Sequence, residues 1–471
     1  MDYLEGLLRA LRPAFTREAT FAWFVVAFAG VVTRPEVYGV SSIVRALCLA
    51  PAYYPALLHF FHSAAWTAEG LYRQWDDWLI RQPVVESVTG RVVLLGDHTK
   101  QPKDGRRMPG MTTMHQESET SRKPSFFRGH HWGCLSLLGQ ARGKRFALPL
   151  WAEIHPDDSQ DSRATRLVNV AVAMGARWRK PILLVLDAFF AVASVFAAAA
   201  ASQGAVQILT RAKKNVVAYR PPPPPRPHRR GRRRVYGRKL KLMKRFDAQP
   251  QDFLSAEAVV YQKTETVRYL VLDLIWKPLK GLVRFILIET SHGRIILMSS
   301  DLTLDPLQAL SLYTARVRIE SLFSSLKNLL GGLAYHFWSK YLQPVSRSPR
   351  RGAHTVPVSS RPDRTANTLA AIEKFVALHL IVLGSLQLLA ATCGDAVRKQ
   401  AHCWLRTPSG AVPSDFVSRT ALAKLLLAHI RILAENQVIA LIRRSQSEPD
   451  HSLGNHTSPN RRPSSHADQN L

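Results

Sequence analysis

Two short stretches, RVVLLGDHTK (residues 91–100) and PILLVLDAFF (residues 181–190), carry the strongest indication of the fold. Each is an apolar run of strand length that ends in an aspartate, Asp97 in the first and Asp187 in the second. Such runs are typical of strands buried within a sheet. Ligand and catalytic groups of open α/β sheets gather where strands of this kind end. The two aspartates are therefore candidates for a functional site.

Predicted strands and helices alternate around these two runs. Residues 132–138 and 145–154 are strand candidates separated by a turn-like segment, and residues 163–177 have helical periodicity. The alanine-rich segment after Asp187, to residue 201, is predicted to be a buried helix, and residues 206–209 form a further strand candidate. Three strands, a helix, a strand and a helix predict an α/β domain with a mixed sheet.

The chain is strongly basic. Its 471 residues include 64 lysines and arginines against 34 aspartates and glutamates, which gives a formal charge of +30. This excess favours a polyanionic partner and makes acidic small-molecule chemistry a poor first interpretation. A hydrophobic fraction of 46% excludes a wholly disordered basic protein. Four scattered cysteines suggest no disulfide framework and agree with a reducing compartment.

A basic segment separates the predicted core from a second group of strands. Five prolines at residues 221–225 predict a stiff spacer, and residues 226–245 are rich in arginine and lysine and contain no acidic residue. This basic arm is either a solvated linker or a clamp on the DNA backbone, and the two interpretations are compatible because an arm can order on DNA. Four strand candidates follow: residues 256–263, 266–276, 282–290 and 294–299.

A long helix is predicted from residue 305, where an N-cap aspartate precedes a proline, to the glycines at 331 and 332. Four of its polar residues share about 60° of arc, at ~100° per residue: Tyr313, Arg316, Glu320 and Lys327. The carboxylate of Glu320 suits Mg²⁺, and Arg316 and Lys327 suit a phosphate. Alternatively, Glu320 forms an ordinary helix-surface ion pair with Arg316.

The pattern Tyr-x2-Arg-x3-Glu-x6-Lys is similar to the signature of a group of bacterial insertion-sequence DDE transposases, and it occurs here without a mismatch. The resemblance covers roughly residues 90–335. Further blocks resemble the same group: GDHTK (96–100), GRRMPG (105–110), GHHWGCLSLL (129–138), PILLVLDAFF (181–190), LTRAKKNVVAY (209–219) and GRRRVYGRKLK (231–241).

This resemblance implies a ribonuclease H-like mixed-sheet core, with an inserted antiparallel β subdomain and helical N- and C-terminal regions. It implies that Asp97, Asp187 and Glu320 are the catalytic residues and bind two Mg²⁺ or Mn²⁺ ions. It also implies metal-dependent strand cleavage at transposon ends and transfer of the 3′-ends into target DNA. We expect the following residues to bind DNA or phosphate: Tyr313, Arg316, Lys327, Arg211, Arg232, Arg233, Arg234 and Lys239.

Three residues have alternative interpretations. Trp276 could stack on an unpaired base near the cleavage point, or it could pack in the core. Asp104 and Asp301 are the carboxylates that would replace a member of the triad if one were wrongly assigned. Asp301 could equally end a strand or order the turn before the long helix.

The predicted organisation has six parts. Residues 1–88 form a helical region expected to bind DNA ends, and residues 89–220 with 301–342 form the catalytic core. Residues 221–300 are the inserted basic arm and β subdomain. The remaining parts are a linker (343–367), a helical C-terminal region (368–444, with a long helix from 414 or 415) and a disordered tail (445–471).

The expected partner is double-stranded DNA, as transposon terminal inverted repeats and as target. The resemblance implies a homodimer in the DNA complex and a site in the bacterial cytoplasm beside the nucleoid. Three apolar runs, residues 21–32, 188–201 and 375–393, are interpreted as buried helices, without a membrane. The alternatives are a catalytically inactive DNA-binding relative of a transposase and, less favoured, a membrane protein.

Overall fold

A computed structural model describes residues 2–115, 126–155, 162–224, 234–261, 263–346, 358–404, 407–432 and 442. Within these ranges the helices, in chain order, are α1 Asp2–Leu11, α2 Glu18–Thr33, α3 Ser41–Ala46, α4 Tyr53–His62, α5 Ala68–Leu79, α6 Arg163–Trp178, α7 Ala193–Ala201, α8 Arg245–Ala248, α9 Pro306–Ala315, α10 Arg318–Ser324, α11 Pro362–Thr392, α12 Gly394–Ala401 and α13 Asp415–Ile432.

The strands belong to one mixed sheet. In chain order they are β1 Ser87–Val88, β2 Arg91–Pro102, β3 Thr112–His115, β4 Phe126–Ala141, β5 Lys144–Ile154, β6 Ile182–Val185, β7 Val206–Arg211, β8 Val217–Tyr219, β9 Lys239–Lys241, β10 Leu254–Val260, β11 Lys263–Trp276, β12 Gly281–Thr290 and β13 Gly293–Ser299.

The centre of the sheet has the ribonuclease H-like arrangement. Strands β2, β4 and β5 form an antiparallel meander. Strand β6 then pairs parallel to β2, with Leu94 opposite Leu184, and β7 pairs parallel to β6. Asp97 thus lies on the first of these five strands and Asp187 just after the fourth. The predicted mixed α/β fold class is confirmed.

The strands after the basic arm extend the same sheet. Strand β13 pairs antiparallel to β7, and β12, β11 and β10 continue outward from it. The short strands β8 and β9 pair beyond β11. The strands of the predicted insertion are therefore hydrogen-bonded to the core sheet and do not form a separate one.

The two apolar runs are buried because helices pack against the central strands. Residues 92–95 and 182–186 have at most 1% of their surface exposed. Helix α6 contacts β4, β6 and β7, while α10 contacts β2 and β5. The helix predicted directly after Asp187 begins only at Ala193, because residues 188–190 form a 3₁₀ turn that Asp187 caps.

The helical ends of the chain complete the core. Helix α11 contacts α2, α4, α5 and α13 as well as β5. Among the residues that the structure describes, α11 alone is long and apolar enough to cross a membrane, and 83% of its most apolar window is buried within the protein. The prediction of a buried helix over residues 375–393 agrees with this burial.

Several predictions lie outside the described residues. They concern residues 226–233 of the basic arm, with Arg232 and Arg233, residues 347–357 of the linker and the tail from residue 445. The C-terminal helix predicted to reach residue 444 is described from Asp415 to Ile432.

Candidate active site

Asp97 points toward the helices that carry the polar signature because of its place on β2. A Cβ atom on the preceding residue, Gly96, would lie 2.7 Å from a Leu186 methyl and 3.4 Å from a Leu167 methyl of α6. Position 96 therefore faces α6, and only a glycine fits there. Since successive strand residues point to opposite faces, Asp97 faces away from α6. Its carboxylate accepts a hydrogen bond from the backbone N–H of His98, at 2.8 Å.

Asp187 lies at the end of the neighbouring parallel strand. Its Oδ1 accepts a hydrogen bond from the backbone N–H of Phe189, at 3.0 Å, and so caps the 3₁₀ turn. Thr210 of β7 donates its hydroxyl hydrogen bond to the backbone carbonyl of Asp187. These two hydrogen bonds fix the end of β6: one comes from the turn that follows it, and the other from the neighbouring strand β7.

The helix that carries the signature is irregular. Asp305 caps α9 as expected, accepting from the backbone N–H of Gln308 at 2.8 Å, and Pro306 is the first helical residue. The regular hydrogen bonding then breaks at residues 316–317 before α10 begins, and residues 325–329 widen into a π-helical turn. The backbone nevertheless keeps right-handed helical dihedral angles at Arg316, Val317 and Leu330. The predicted long helix is therefore present, with an irregularity at residues 316–317 and a π-helical last turn.

Two arginines from the ends of the chain hold the far end of this helical segment. Arg34, fully buried after α2, donates to the carbonyl of Leu330 and, at 2.9 Å, to Ser42. Arg419 of α13 donates to the carbonyl of Leu329 at 2.7 Å and to that of Arg34. Positive charge at these last carbonyls complements the negative end of the helix dipole.

The Arg316 guanidinium joins the two edges of the site. Its Nη1 lies 3.0 Å from Asp97 Oδ2, and its Nη2 lies 3.1 Å from Glu320 Oε1. Asp97 and Arg316 are largely buried, with 17% and 16% of their side-chain surface exposed, whereas Glu320 is 55% exposed. The ion pair expected between Glu320 and Arg316 exists, but the same guanidinium also binds the strand aspartate.

The carboxylates act on one another electrostatically. Burial, together with the charges of Asp187 and Glu320, raises the pKa of Asp97 to about 6, although the His98 N–H and Arg316 oppose the rise. Burial lowers the pKa of Arg316, but the surrounding carboxylates, Asp97 first, outweigh burial, so the net change is upward. Asp97 and Glu320 thus both pair with Arg316, and Asp187 acts electrostatically on Asp97 and on this arginine.

The other signature residues lie beside this cluster. Burial raises the pKa of the Tyr313 hydroxyl; Arg316 and Arg211 oppose the rise, and the charge of Asp187 adds to it. Tyr313 and Arg211 are therefore neighbours of the carboxylates. Lys327 donates to the backbone carbonyl of Lys100 at 3.4 Å, and burial lowers its pKa.

Other predicted residues lie elsewhere. Base stacking by Trp276 is contradicted, because the ring is 7% exposed and packs edge-on against Phe196 at 5.4 Å, as the core interpretation expects. Arg234 and Lys239 are exposed near or on β9, at the end of the sheet order opposite β2 and β4, and are not gathered with the carboxylates.

The alternative carboxylates are not in the cluster either. Asp301 pairs with Arg91 at 3.4 Å and accepts from the backbone N–H of Thr303 at 2.9 Å, so it orders the turn after β13. Asp104 is exposed on the segment after β2. The carboxylates on β2, after β6 and on α10 remain the candidates.

Comparison with known sequence families assigns the chain to a family. The sequence profile described as DDE superfamily endonuclease matches residues 10–269, more than half of the chain. The chain belongs to the DDE superfamily endonucleases. The matched region of this endonuclease includes Asp97 and Asp187 and ends before Glu320, whose assignment rests on the signature and on its contact with Arg316.

Other comparisons add little to the assignment of this DDE superfamily endonuclease. Among solved structures it is similar to a cryo-EM structure of a piggyBac transposase synaptic complex with hairpin DNA, with a TM-score of 0.34 and 10% identity. The alignment covers 92% of this chain and 80% of that one. No curated protein matches the sequence.

The candidate site has donors of the chemical type that a hard divalent cation takes. Asp97, with Asp187 and Glu320, whose charges raise its pKa, offers carboxylate oxygens of the kind that Mg²⁺ and Mn²⁺ prefer. Within the described ranges, however, no three His, Cys, Asp or Glu side chains are close enough together to hold one ion. In this arrangement the Arg316 guanidinium neutralises Asp97 and Glu320.

Sequence reasoning missed Tyr261 and did not reveal the contact between His98 and His131. The His98 ring lies 4.7 Å from that of His131, and burial lowers their pKa values to about 4 and about 3, so both are neutral near pH 7. Tyr261, at the tip of the β10–β11 hairpin, is 52% exposed and acts on the pKa of Tyr313. Tyr261 carries no motif; only the pairing of β10 with β11 indicates its place at the tip.

Proposed function

We propose that this DDE superfamily endonuclease is a transposase of the insertion-sequence group with the Tyr-x2-Arg-x3-Glu-x6-Lys signature. In this proposal it cleaves DNA strands at the ends of a mobile element and joins the freed 3′-ends to target DNA. The observation that carries the proposal is the pairing of Arg316 with Asp97 of β2 and Glu320 of α10, within electrostatic reach of Asp187 after the parallel strand β6.

Asp97, Asp187 and Glu320 are the residues that would hold two Mg²⁺ or Mn²⁺ ions. Such ions, when bound, make water or a DNA 3′-hydroxyl a stronger nucleophile and stabilise the leaving oxygen. The raised pKa of Asp97 supports this assignment, because a carboxylate in a repulsive, buried position gains most from a nearby cation.

The signature's other side chains would bind the DNA strand. Arg316 presents a planar fork that fits phosphate as well as carboxylate, so a scissile phosphate competes with Asp97 and Glu320 for it. Tyr313 offers a hydroxyl hydrogen bond, and Lys327 adds a positive charge on the same side of the helix. These residues orient the strand, and none is needed as a covalent nucleophile.

The partners follow from the charge and from the reaction. A net charge of +30 supports binding to double-stranded DNA, as terminal inverted repeats and as target. We propose a homodimer in the DNA complex, because two ends of one element must be brought together. The same substrate suggests a bacterial cytoplasmic protein associated with the nucleoid.

The test is cleavage of linear DNA that carries the inverted repeats flanking the coding region. We expect Mg²⁺-dependent nicking at the repeat ends by the wild type and its loss in Asp97→Ala, Asp187→Ala and Glu320→Gln. Asp104→Ala is the matched control, since it removes an exposed carboxylate outside the cluster. Equal cleavage by wild type and any of the first three variants would refute that residue's assignment.

A second candidate function is a catalytically inactive relative that binds DNA. The observation in its favour is the Arg316 guanidinium between Asp97 and Glu320, which already neutralises the carboxylates without metal. Calorimetric titration with Mn²⁺ separates the two functions. An active enzyme binds Mn²⁺ through Asp97, whereas the inactive relative binds DNA with the usual salt dependence and gives no Asp97-dependent heat.

A further inference from the structure

A groove runs along the side of α9 and α10 that faces away from the carboxylates. Its walls are the turn between β4 and β5, the tip of the β10–β11 hairpin and the α9–α10 junction, and it encloses about 730 Å³. None of its twelve lining residues is acidic. We call it the basic groove after its four cations: Arg142, Lys144, Arg145 and Arg318.

Two of these cations fix the shape of the basic groove. Arg145 Nε lies 2.9 Å from a Glu86 carboxylate oxygen, and its Nη1 donates to the Ser311 hydroxyl at 2.7 Å, which ties β5 to α9. Arg142 Nη2 lies 2.9 Å from Asp395 and ties the β4–β5 turn to α12. These ion pairs hold the walls in place, so the groove does not depend on a ligand to form.

The other two cations are available to a ligand. Lys144 is exposed and Arg318 is half-buried, and neither forms an ion pair within 4.0 Å with any residue that the structure describes. Partial burial raises the pKa of Asp415, which lies within electrostatic reach of Lys144, and its carboxylate accepts a hydrogen bond from the Ser325 hydroxyl at 2.6 Å. The groove thus presents two cations that no ion pair with a described residue holds, on a rigid wall.

Tyr261 connects the basic groove to the candidate active site. It lines the groove, and it acts on the pKa of Tyr313, which faces the carboxylates. Its backbone has a φ of 46°, a left-handed conformation that residues other than glycine rarely adopt. The ring packs edge-on against His292 at 5.1 Å, and the residue is 52% exposed. Tyr261 therefore lies within reach of both the groove and Tyr313.

We infer that the basic groove binds the phosphate backbone of DNA outside the cleavage point, an inference that takes its ligand from the proposed function. Lys144 and Arg318 contact phosphates, and Tyr261 contacts a sugar or base where the DNA passes toward the carboxylates. A volume of about 730 Å³ without a carboxylate is much more than one free phosphate needs, and it suits a continuous polyanion.

The experiment measures DNA affinity against salt. Full-length wild type and Lys144→Gln/Arg318→Gln are titrated into a fluorescein-labelled mixed-sequence duplex in EDTA, from about 50 to about 200 mM salt, and anisotropy gives the affinity. Log K falls as log salt rises, and each lost phosphate contact makes this slope about 0.9 less steep. We therefore expect the slope of the double variant to be about 1.8 less steep than that of the wild type. Over this fourfold range of salt, the wild type then loses about 12-fold more affinity than the variant.

The matched control is Arg179→Gln/Lys180→Gln, which removes the same two charges at the exposed end of α6, before β6 begins. We expect the control to keep the wild-type slope, and unfolding midpoints to show that all three proteins are folded. Equal slopes for the groove variant and the wild type, equal losses in both variants, or no DNA binding by the wild type would each overturn the inference. EDTA prevents cleavage, so the measured DNA affinity does not depend on the catalytic assignment. If that assignment were wrong, Asp97→Ala would still cleave DNA in Mg²⁺, while the salt slopes of the wild type and the groove variant would keep their expected difference.

Discussion

Replacing Asp97 with asparagine is expected to stabilise the protein while abolishing cleavage. The carboxylate is 83% buried as a side chain and shares its surroundings with Asp187 and Glu320, so its ionised form is disfavoured. The pKa rises from the ordinary 3.8 to about 6. Asparagine keeps the shape and an acceptor for the His98 N–H but removes the charge.

The size of the effect follows from that pKa. A carboxylate with a raised pKa in the folded state reduces stability as pH rises through 3.8, and the reduction is complete above about 6. At roughly 1.36 kcal/mol per pH unit, it amounts to about 3 kcal/mol at pH 8 and about 1.6 kcal/mol at pH 5. Asp97→Asn should therefore gain about twice as much unfolding free energy at pH 8 as at pH 5.

Urea denaturation followed by tryptophan fluorescence, in EDTA at both pH values, measures this gain. Asp104→Asn is the control, since it changes the same charge at an exposed position and should alter stability little. If Asp97→Asn were no more stable than the wild type at pH 8, or gained equally at both pH values, the account of Asp97 as a strained carboxylate would fail. Addition of Mg²⁺ should narrow the difference, because bound metal stabilises the wild type alone.

Three further predictions concern residues around the site and the core. Arg316→Gln removes a charge that lowers the pKa of Asp97, so the pKa should rise in the variant. The rising limb of the pH profile of Mg²⁺-dependent cleavage should then move to higher pH, and an unmoved limb would contradict the electrostatic effect of Arg316 on Asp97. Trp276→Ala should reduce the unfolding free energy by about 3–5 kcal/mol, because it removes a buried ring. DNA affinity, measured by anisotropy, should stay unchanged, and a loss of affinity in a folded variant would instead support base stacking. Arg419→Met leaves the Leu329 carbonyl without its donor and should lower the urea midpoint by the equivalent of about 2 kcal/mol. Arg73→Met on α5, which removes an exposed arginine paired with Glu69, is the comparison, and an equal loss in both variants would argue against a special role of Arg419.

The centre of the fold could be predicted because its information is local. The runs before Asp97 and Asp187 are apolar throughout, which only strands covered on both faces require, and each ends at a polar residue. The cap formed by Asp305 and Pro306 likewise depends on neighbours within one helical turn. These features need no knowledge of the rest of the chain.

The errors and omissions concern features that depend on distant parts of the chain. The helix is irregular at residues 316–317, and no residue there is a glycine or proline that would have indicated an irregularity. Trp276 is buried because Phe196 of α7 lies against it, and Tyr261 is exposed because β10 and β11 end together. The bridge from Arg316 to Asp97 joins residues 219 positions apart, which helical spacing cannot reveal.

The two arginines at the end of the signature helix have a consequence for how the protein is made. Arg419 follows Glu320 by 99 positions, so the ribosome adds it roughly 5–20 s later at ordinary rates of synthesis. Until then Arg34 can donate to the carbonyl of Leu330, but the carbonyl of Leu329 lacks the hydrogen bond that Arg419 of α13 donates. A nascent chain that has not yet reached Arg419 thus carries all three carboxylates, while the helical segment that holds Glu320 still lacks the hydrogen bonds of this arginine.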